Sequence, residues 1–440
     1  MKPRGLMIAV VVLAALAVAI FISNKKQAAA SKSTDSTTRL LSIPEDQFKE
    51  IQIKKLTGET IDLQRPSGKW EMTQPKPERA DQDAVSSMVN SLSSLNYDKV
   101  VDESVSDLKA YGLETPTLAV QVKKKDGSSA EVLIGDDTPT GSGAYAKLPA
   151  EKRVVTISSF VKTSIDKRPD DLRDKRLLTF EADKLTRVEL QAKGQSVEFG
   201  KNGANEWQIV KPHPQRADSS AVETLLGKLR DAKFDPTAPD ADAPKKFAAA
   251  AKLATVSLTD SSGSQTMEVH LETGKDKTKT YYAKSTVTEG TYKIQNEVGD
   301  ALDKSVDDFR QHKVFDFGFS DPTKIEVNSR TFTKSGDKWM EGSKVMDNNS
   351  IQTVIDRLRE LSAKNLSDKP VVGSQLYDFT VTSNDGKRVE KVIIRQQDKK
   401  LLAQRQNEPT IYELADSTAS DLQRDIGGIK EKAPEPPKKK

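Results

Sequence analysis

The chain has 440 residues, with 69 Lys and Arg against 65 Asp and Glu, 35% hydrophobic and 30% charged residues, and no cysteine. The near-neutral balance leaves no electrostatic footprint for nucleic acid, and the missing cysteine removes disulfides, thiolate metal sites, a Cys nucleophile and a lipidated Cys. The apolar share exceeds that of disordered chains, and the length suits about three domains.

Leu6 to Ile22 is an unbroken run of apolar and small residues, preceded by Lys2 and Arg4 and followed by Lys25 and Lys26. As a helix it rises about 26 Å, close to the roughly 30 Å hydrocarbon core of a bilayer. A cleaved signal peptide is the rival reading, with Ala28-Ala29-Ala30 as a small-residue site. That site lies well beyond the run and follows two lysines, so the pattern favours an uncleaved anchor over residues 1–26, with the bilayer as its partner. Residues 27–42 read as a linker. The last ten residues, 431–440 (EKAPEPPKKK), read as a disordered Pro/Lys tail.

Between them lies a repeat. WEMTQPKPERADQDAV begins at Trp70 and WQIVKPHPQRADSSAV begins at Trp207, an offset of 137. The same offset relates Tyr145-Ala146-Lys147 to Tyr282-Ala283-Lys284, Asp170-Asp171 to Asp307-Asp308, Arg173 to Arg310 and Phe180 to Phe317. A shorter third unit keeps Trp339, Asp347, Ala403 and Leu414. Its Asp421-Leu422-Gln423 aligns with Asp171-Leu172-Arg173, which predicts a trimmed last helix. The expected modules are residues 43–180, 181–317 and a shortened 318–430.

Within each unit the elements follow one order. Alternating strands at Ile51–Ile53, Thr60–Leu63 and Lys69–Met72 recur at Arg187–Leu190, Ser196–Phe199 and Trp207–Val210. Asp81, Asp218 and Asp347 stand where N-caps belong. Helical spacing follows each, at Val85, Met88, Leu92, Leu95, then Val222, Leu225, Leu226, Leu229, then Ile351, Val354, Ile355, Leu358. Further strands come next, at Leu118–Val122, Ala130–Ile134, Ala144–Leu148 and Val154–Ile157 in unit one, with Asp126-Gly127 and Ser262-Gly263 as hairpin turns. A short helix between Ser158 and Lys175 closes the unit. The fold class is α+β: an N-terminal transmembrane helix, then three tandem α+β modules with mainly antiparallel sheets.

Chemistry-bearing motifs are sparse. His213, His270 and His312 lie apart, without the i, i+3 or i, i+4 spacing of metal ligands. The Asp-Asp pairs at 170–171 and 307–308 read as capping or solvated residues, since neighbours on a helix point about 100° apart. Asp316-Phe317-Gly318 spells a kinase triplet, but no His-Arg-Asp loop accompanies it, and Phe317 reads as a core residue at a module boundary. Gly135 to Tyr145 (GDDTPTGSGAY) lacks a phosphate-loop ending and reads as a hairpin loop. No catalytic residue, metal site or cofactor is expected. Each tryptophan precedes a helix cap on an alternating strand, which favours a core anchor over an exposed stacking platform. The recurring Trp-to-Asp stretch is either a rigid strand-to-helix crossover or a partner-binding loop, with Pro75, Pro77, Arg79, Pro212, Pro214 and Arg216 as candidate partner-binding residues.

Trp-x4-Pro-x-Pro-x-Arg-Ala-Asp, Tyr111-Gly112-Leu113-Glu114-Thr115-Pro116, Leu133-Ile134-Gly135 and the Tyr-Ala-Lys strand together resemble a bacterial family of domains of unknown function. Its membrane-anchored tandem-repeat members are often encoded beside Gld-type ABC transporter components. The resemblance spans about residues 40 to 430 and weakens in unit two, where the Ala-rich Phe247 to Ala251 replaces Tyr-Gly-Leu. Unit three lacks Arg-Ala-Asp. The resemblance implies an envelope location and a transporter link. The Leu6 to Ile22 run, which leaves almost nothing on its N-terminal side, gives the expectation of a single-pass bacterial inner-membrane protein with its large C-terminal region extracytoplasmic. The expected function is a non-catalytic accessory or scaffold of an ABC-type transport system, with transporter subunits as partners. The alternative is a cell-wall or glycan-binding repeat protein.

Overall fold

The computed structural model describes residues 38–235, 240–318, 320–370 and 372–433. The expected anchor with its Leu6–Ile22 run, residues 27–37 of the linker and residues 434–440 of the tail lie outside these. Among the described residues no helix is long and apolar enough to cross a membrane. The chain divides into two compact units, one ending at Lys175 and one beginning at Arg176.

In the first unit a nine-stranded sheet runs in the order Glu78–Arg79, Glu71–Gln74, Thr60–Gln64, Phe48–Lys55, Leu118–Lys124, Ser129–Asp137, Gly143–Lys147, Val154–Ser158, Lys99–Asp102. Its neighbours are antiparallel. The chain enters at the middle of the sheet and steps outward by hairpins to one edge. It then passes through helix α1 (Gln82–Ser93), lays Lys99–Asp102 at the far edge, and fills the space between from the middle strand outward. Helices α2 (Ser159–Ile165) and α3 (Pro169–Leu172) close the unit.

The second unit contains two more large sheets. One has eight strands and carries α4 (Ser219–Arg230), α5 (Ala243–Ala249) and α6 (Asn296–Leu302). The other has nine strands and carries α7 (Asn348–Glu360) and α8 (Thr418–Gly427). Both are filled from the middle as the first is, and the nine-stranded one also has an early strand, Asn365–Ser367, at its far edge, which among the described residues the eight-stranded one does not. Three modules predict three sheets, whereas the described residues form four. The fourth is a two-stranded ribbon of Arg39–Ser42 with Ser94–Asn96. This ribbon also corrects the expected linker, which stops short of Arg39, because Leu40 and Leu41 are buried in the first core.

Alternation explains the sheets. Ile51, Ile53, Ile61, Leu63, Val120, Val122, Val132 and Ile134 point to one face and are buried there with Val85, Met88, Val89 and Leu92 of α1. Each such side chain contributes about 1.5–3 kcal/mol on full burial. The caps fall where Asp was expected. The Asp81 carboxylate accepts from the amides of Asp83 and Ala84 at 3.0 and 3.1 Å, Asp218 accepts from Ser220 and Ala221 at 2.9 and 3.2 Å, and Asp347 accepts from Ser350 at 2.9 Å.

Three boundaries differ from the expectation. Leu177 and Leu178 belong to the second core, with Phe180 packed against it, and Val314, Phe315 and Phe317 belong to the third. The aromatic at each junction therefore opens the next core rather than closing the last, and each boundary moves several residues upstream of 180 and 317. The last helix is not trimmed. α8 has 10 residues where α2 and α6 have 7, and Leu422 is a buried position inside it. The short α3-like turn is what the third sheet lacks. Its bridging role passes to Glu431, which pairs with Met346 as Arg173 pairs with Ala80 and Arg310 with Ala217. The tail expected to be disordered from 431 is thus held at its start, where the Lys432 amide also donates to the Val345 carbonyl at 2.9 Å.

Candidate functional site

The recurring Trp-to-Asp stretch, expected as a rigid strand-to-helix crossover or a partner-binding loop, folds as an edge hairpin. Glu71 pairs with Arg79 and Met72 with Glu78, and at the same places in the second sheet Gln208 pairs with Arg216 and Ile209 with Gln215. Each hairpin turns at a cis proline, Pro75 and Pro212, followed by Pro77 and Pro214, and all four prolines are exposed. In the third sheet a tight turn at Gly342 replaces the proline turn, with φ +61° at the glycine. The tryptophans at the base of the hairpins are each 4% exposed, so they are core residues and not available for stacking on a ligand. The residue after the cap secures two of them. Gln82 accepts from the Trp70 amide and donates to its carbonyl, both at 2.8 Å, and Asn348 accepts from the Trp339 amide at 3.4 Å.

The two arginines of the hairpins differ from the exposed pair that was expected. Arg79 is one-third exposed and pairs with buried Asp174 at 3.1 Å. Beside it Arg173 bonds Glu78 at 2.6 Å, and Glu78 also holds Lys76 at 2.7 Å. Arg216 is only 10% exposed. Its guanidinium meets Asp316 at 2.5 Å and Glu408 at 3.3 Å, and donates to the Tyr412 hydroxyl at 2.8 Å and to the Lys313 carbonyl. Its planar fork fills these positions at once, as a lysine could not.

Around Arg216 a network joins the second and third sheets. Arg405 binds Glu408 at 2.7 Å and Glu390 at 2.8 Å, and Glu390 accepts from the Asp316 amide at 2.7 Å. Arg388 reaches Glu206, in the turn before Trp207, and the Asp316 carbonyl at 3.3 Å. Arg310 binds Asp368 at 2.6 Å and the Thr410 hydroxyl at 3.1 Å. Burial alone would lower the pKa of Arg216, but Tyr412, Asp316 and Glu408 outweigh it and raise it. Burial pushes Tyr412 up to about 12, with Arg216 opposing and Glu408 adding. Each guanidinium is met by carboxylates, so the arrangement holds elements in place.

The remaining sequence candidates are dispersed. His213 lies 3.5 Å from Asp368, His270 stacks on Phe247, and His312 contacts the Ala363 carbonyl at 3.0 Å. Among the described residues no group of three or more His, Asp or Glu could hold a metal ion. Asp171 and Asp308 are capping residues that accept from the amides of Arg168 and Ser305 at 2.9 and 2.7 Å.

One constellation was missed as a unit. Tyr-Gly-Leu, Leu-Ile-Gly and Tyr-Ala-Lys converge on the face of the first sheet away from α1. The rings of Tyr111 and Tyr145 meet edge to face at 5.0 Å. Main chain of Tyr111 and Gly112 lies on Gly135 so closely that a Cβ there would stand 2.1 Å from the Tyr111 carbonyl oxygen. Thr117 locks the approach by donating to the Gly135 carbonyl at 2.9 Å. The separate motifs hinted at this only through their glycines, which permit close backbone contact.

A family model, domain of unknown function DUF4340, matches residues 70–206 and 207–373. Both matches open on the tryptophan at the base of a proline hairpin. No curated protein and no solved structure matches the chain.

Proposed function

The chain belongs to the DUF4340 family of domains of unknown function, and from that premise we propose that it is a membrane-anchored extracytoplasmic scaffold serving an ABC-type transport system. Three copies of one α+β module stand behind a single N-terminal span, Leu6 to Ile22, in the bacterial inner membrane. The carrying observation is the repeated framework of buried tryptophan, exposed proline hairpin and aspartate cap behind an apolar run with basic flanks. Transporter subunits are the partners in this reading. Exposed Pro75, Pro77, Pro212 and Pro214 at the hairpin tips offer rigid contact points.

The test is crosslinking in intact cells followed by purification in mild detergent. Recovery of a permease and an ATPase subunit is expected. Their absence, with the protein itself recovered intact, would overturn the transporter assignment. Protease added to spheroplasts should digest the C-terminal region, and its protection would overturn the extracytoplasmic placement.

A further inference from the structure

The outer faces of the three large sheets differ at positions that their pairing registers make equivalent. The inward pairs Ile134 with Ala146, Val269 with Ala283 and Ile394 with Ala403 correspond. One step along, facing away from the core, stand Gly135 and Tyr145, then His270 and Tyr282, then Arg395 and Leu402. In the first sheet the chain itself covers this place, with Tyr111 on Tyr145. In the second, α5 covers it. Phe247 stacks on His270 with ring centroids 3.8 Å apart, and Ala243, Phe247 and Tyr282 form a small core of their own.

Among the described residues nothing covers this place on the third sheet. Its connection runs only from Glu360 to Ser374, against Ser93 to Leu118 and Arg230 to Ala251 in the others, and its described residues form no helix. Ile393 and Leu402 remain half-buried on the bare face, and Val389 is 55% exposed. A groove of about 560 Å³ begins at the Ile393 end of this face, between Asp378, Lys391, Ile393 and Gln404 and the turn from Arg405 to Glu408. Lys391 and Arg395 project from the same strand, Arg388–Gln397, where the second sheet has Thr266 and His270. Among the described residues neither cation is paired with a carboxylate.

We propose that this bare face docks a short helix of another polypeptide, presenting one aromatic ring flanked by acidic residues. The two sister sheets show the shape of the occupant: a short helical segment that lays a ring across the same two strands. The aromatic ring anchors in the Ile393 and Leu402 surface. Acidic neighbours answer Lys391 and Arg395, which the covered sheets do not carry. The inference stands whether or not the partner belongs to a transporter.

The probe is a labelled synthetic helical peptide with one phenylalanine between glutamates, titrated against the full chain in mild detergent by fluorescence anisotropy. Saturable binding is expected. It should weaken at least tenfold when alanine replaces the peptide's phenylalanine, or when the chain carries Leu402→Asp. Arg395→Glu should weaken it as strongly without touching the apolar surface, and melting curves verify that both variants fold. No binding, or binding indifferent to Leu402→Asp and Arg395→Glu alike, would overturn the proposal. Equal binding of a peptide with lysines for glutamates would overturn its acidic character. A dimer in sedimentation that Leu402→Asp dissolves would overturn it in favour of a second copy as the occupant.

Discussion

Arg216 donates to the hydroxyl of Tyr412 at 2.8 Å across 196 residues of sequence, while its guanidinium lies 5.5 Å from the centre of the same ring. The second hairpin therefore ends inside the third sheet's territory, and the charge at its end is spent within the fold.

Removing one partner of a buried, hydrogen-bonded ion network costs about 3–5 kcal/mol. Arg216→Ala should destabilise the second unit by that amount in urea unfolding. Arg216→Lys should lose most of it too, because an ammonium cannot meet Asp316, Glu408 and Tyr412 together. A loss under about 1 kcal/mol would mean that the network is solvated and weak.

The helix caps predict a smaller, repeated effect. Asp81→Ala, Asp218→Ala and Asp347→Ala should each cost about 1 kcal/mol, and Asn at the same places should cost little. Thermal unfolding of the three variants checks this, and an Asn variant as damaged as its Ala counterpart would point to a different role for the carboxylate.

At Gly135 a single methyl group has no room. Gly135→Ala should cost about 1–3 kcal/mol by displacing the turn at Tyr111, with loss of the nuclear Overhauser contacts between the Tyr111 and Tyr145 rings. Gly203→Ala, where nothing lies within 4 Å of the added carbon, should change stability by under about 0.5 kcal/mol.

Alkaline pH should weaken the second unit through Tyr412. Its pKa is raised from 10.0 to about 12 by burial, with Glu408 adding and Arg216 opposing. The folded state keeps a proton that the unfolded state releases, so this contribution is fully present below pH about 10 and is lost as pH climbs towards 12, by up to about 3 kcal/mol. Tyr412→Phe should flatten the decline over that interval relative to the parent chain. An unchanged slope would show that the hydroxyl ionises as freely in the fold as in the unfolded chain.

Much of the fold was legible in the sequence because it rests on local rules. Alternation marked the strands, apolar spacing marked α1, α4 and α7, and Asp81, Asp218 and Asp347 marked their starts. The environment of the hairpin arginines was not legible. Arg79 and Arg216 occupy identical motifs, yet the burial of Arg216 depends on Asp316, Glu408 and Tyr412, which local pattern does not connect to it. The junction aromatics misled for a related reason. A repeat shows that Phe180 and Phe317 are equivalent, but not which of two adjoining cores receives them. Asp421-Leu422-Gln423, aligned with Asp171-Leu172-Arg173, likewise suggested a trimmed last helix, yet it lies inside the 10-residue α8.

The tryptophan that opens each family match sits partway through a sheet, at its second strand from the edge in space. The hereditary unit and the folding unit are therefore out of phase. A fragment cut at 70 and 206 would lack Phe48–Lys55 and Thr60–Gln64, leaving Val120 and Val122 at a raw edge. It would also carry Arg187–Ala192 without its partner strand Ala251–Asp260, and Gln195–Lys201 without its partner Trp207–Lys211. Such a piece is expected to aggregate on expression, whereas one spanning residues 38–175 keeps the first core whole and should remain in solution.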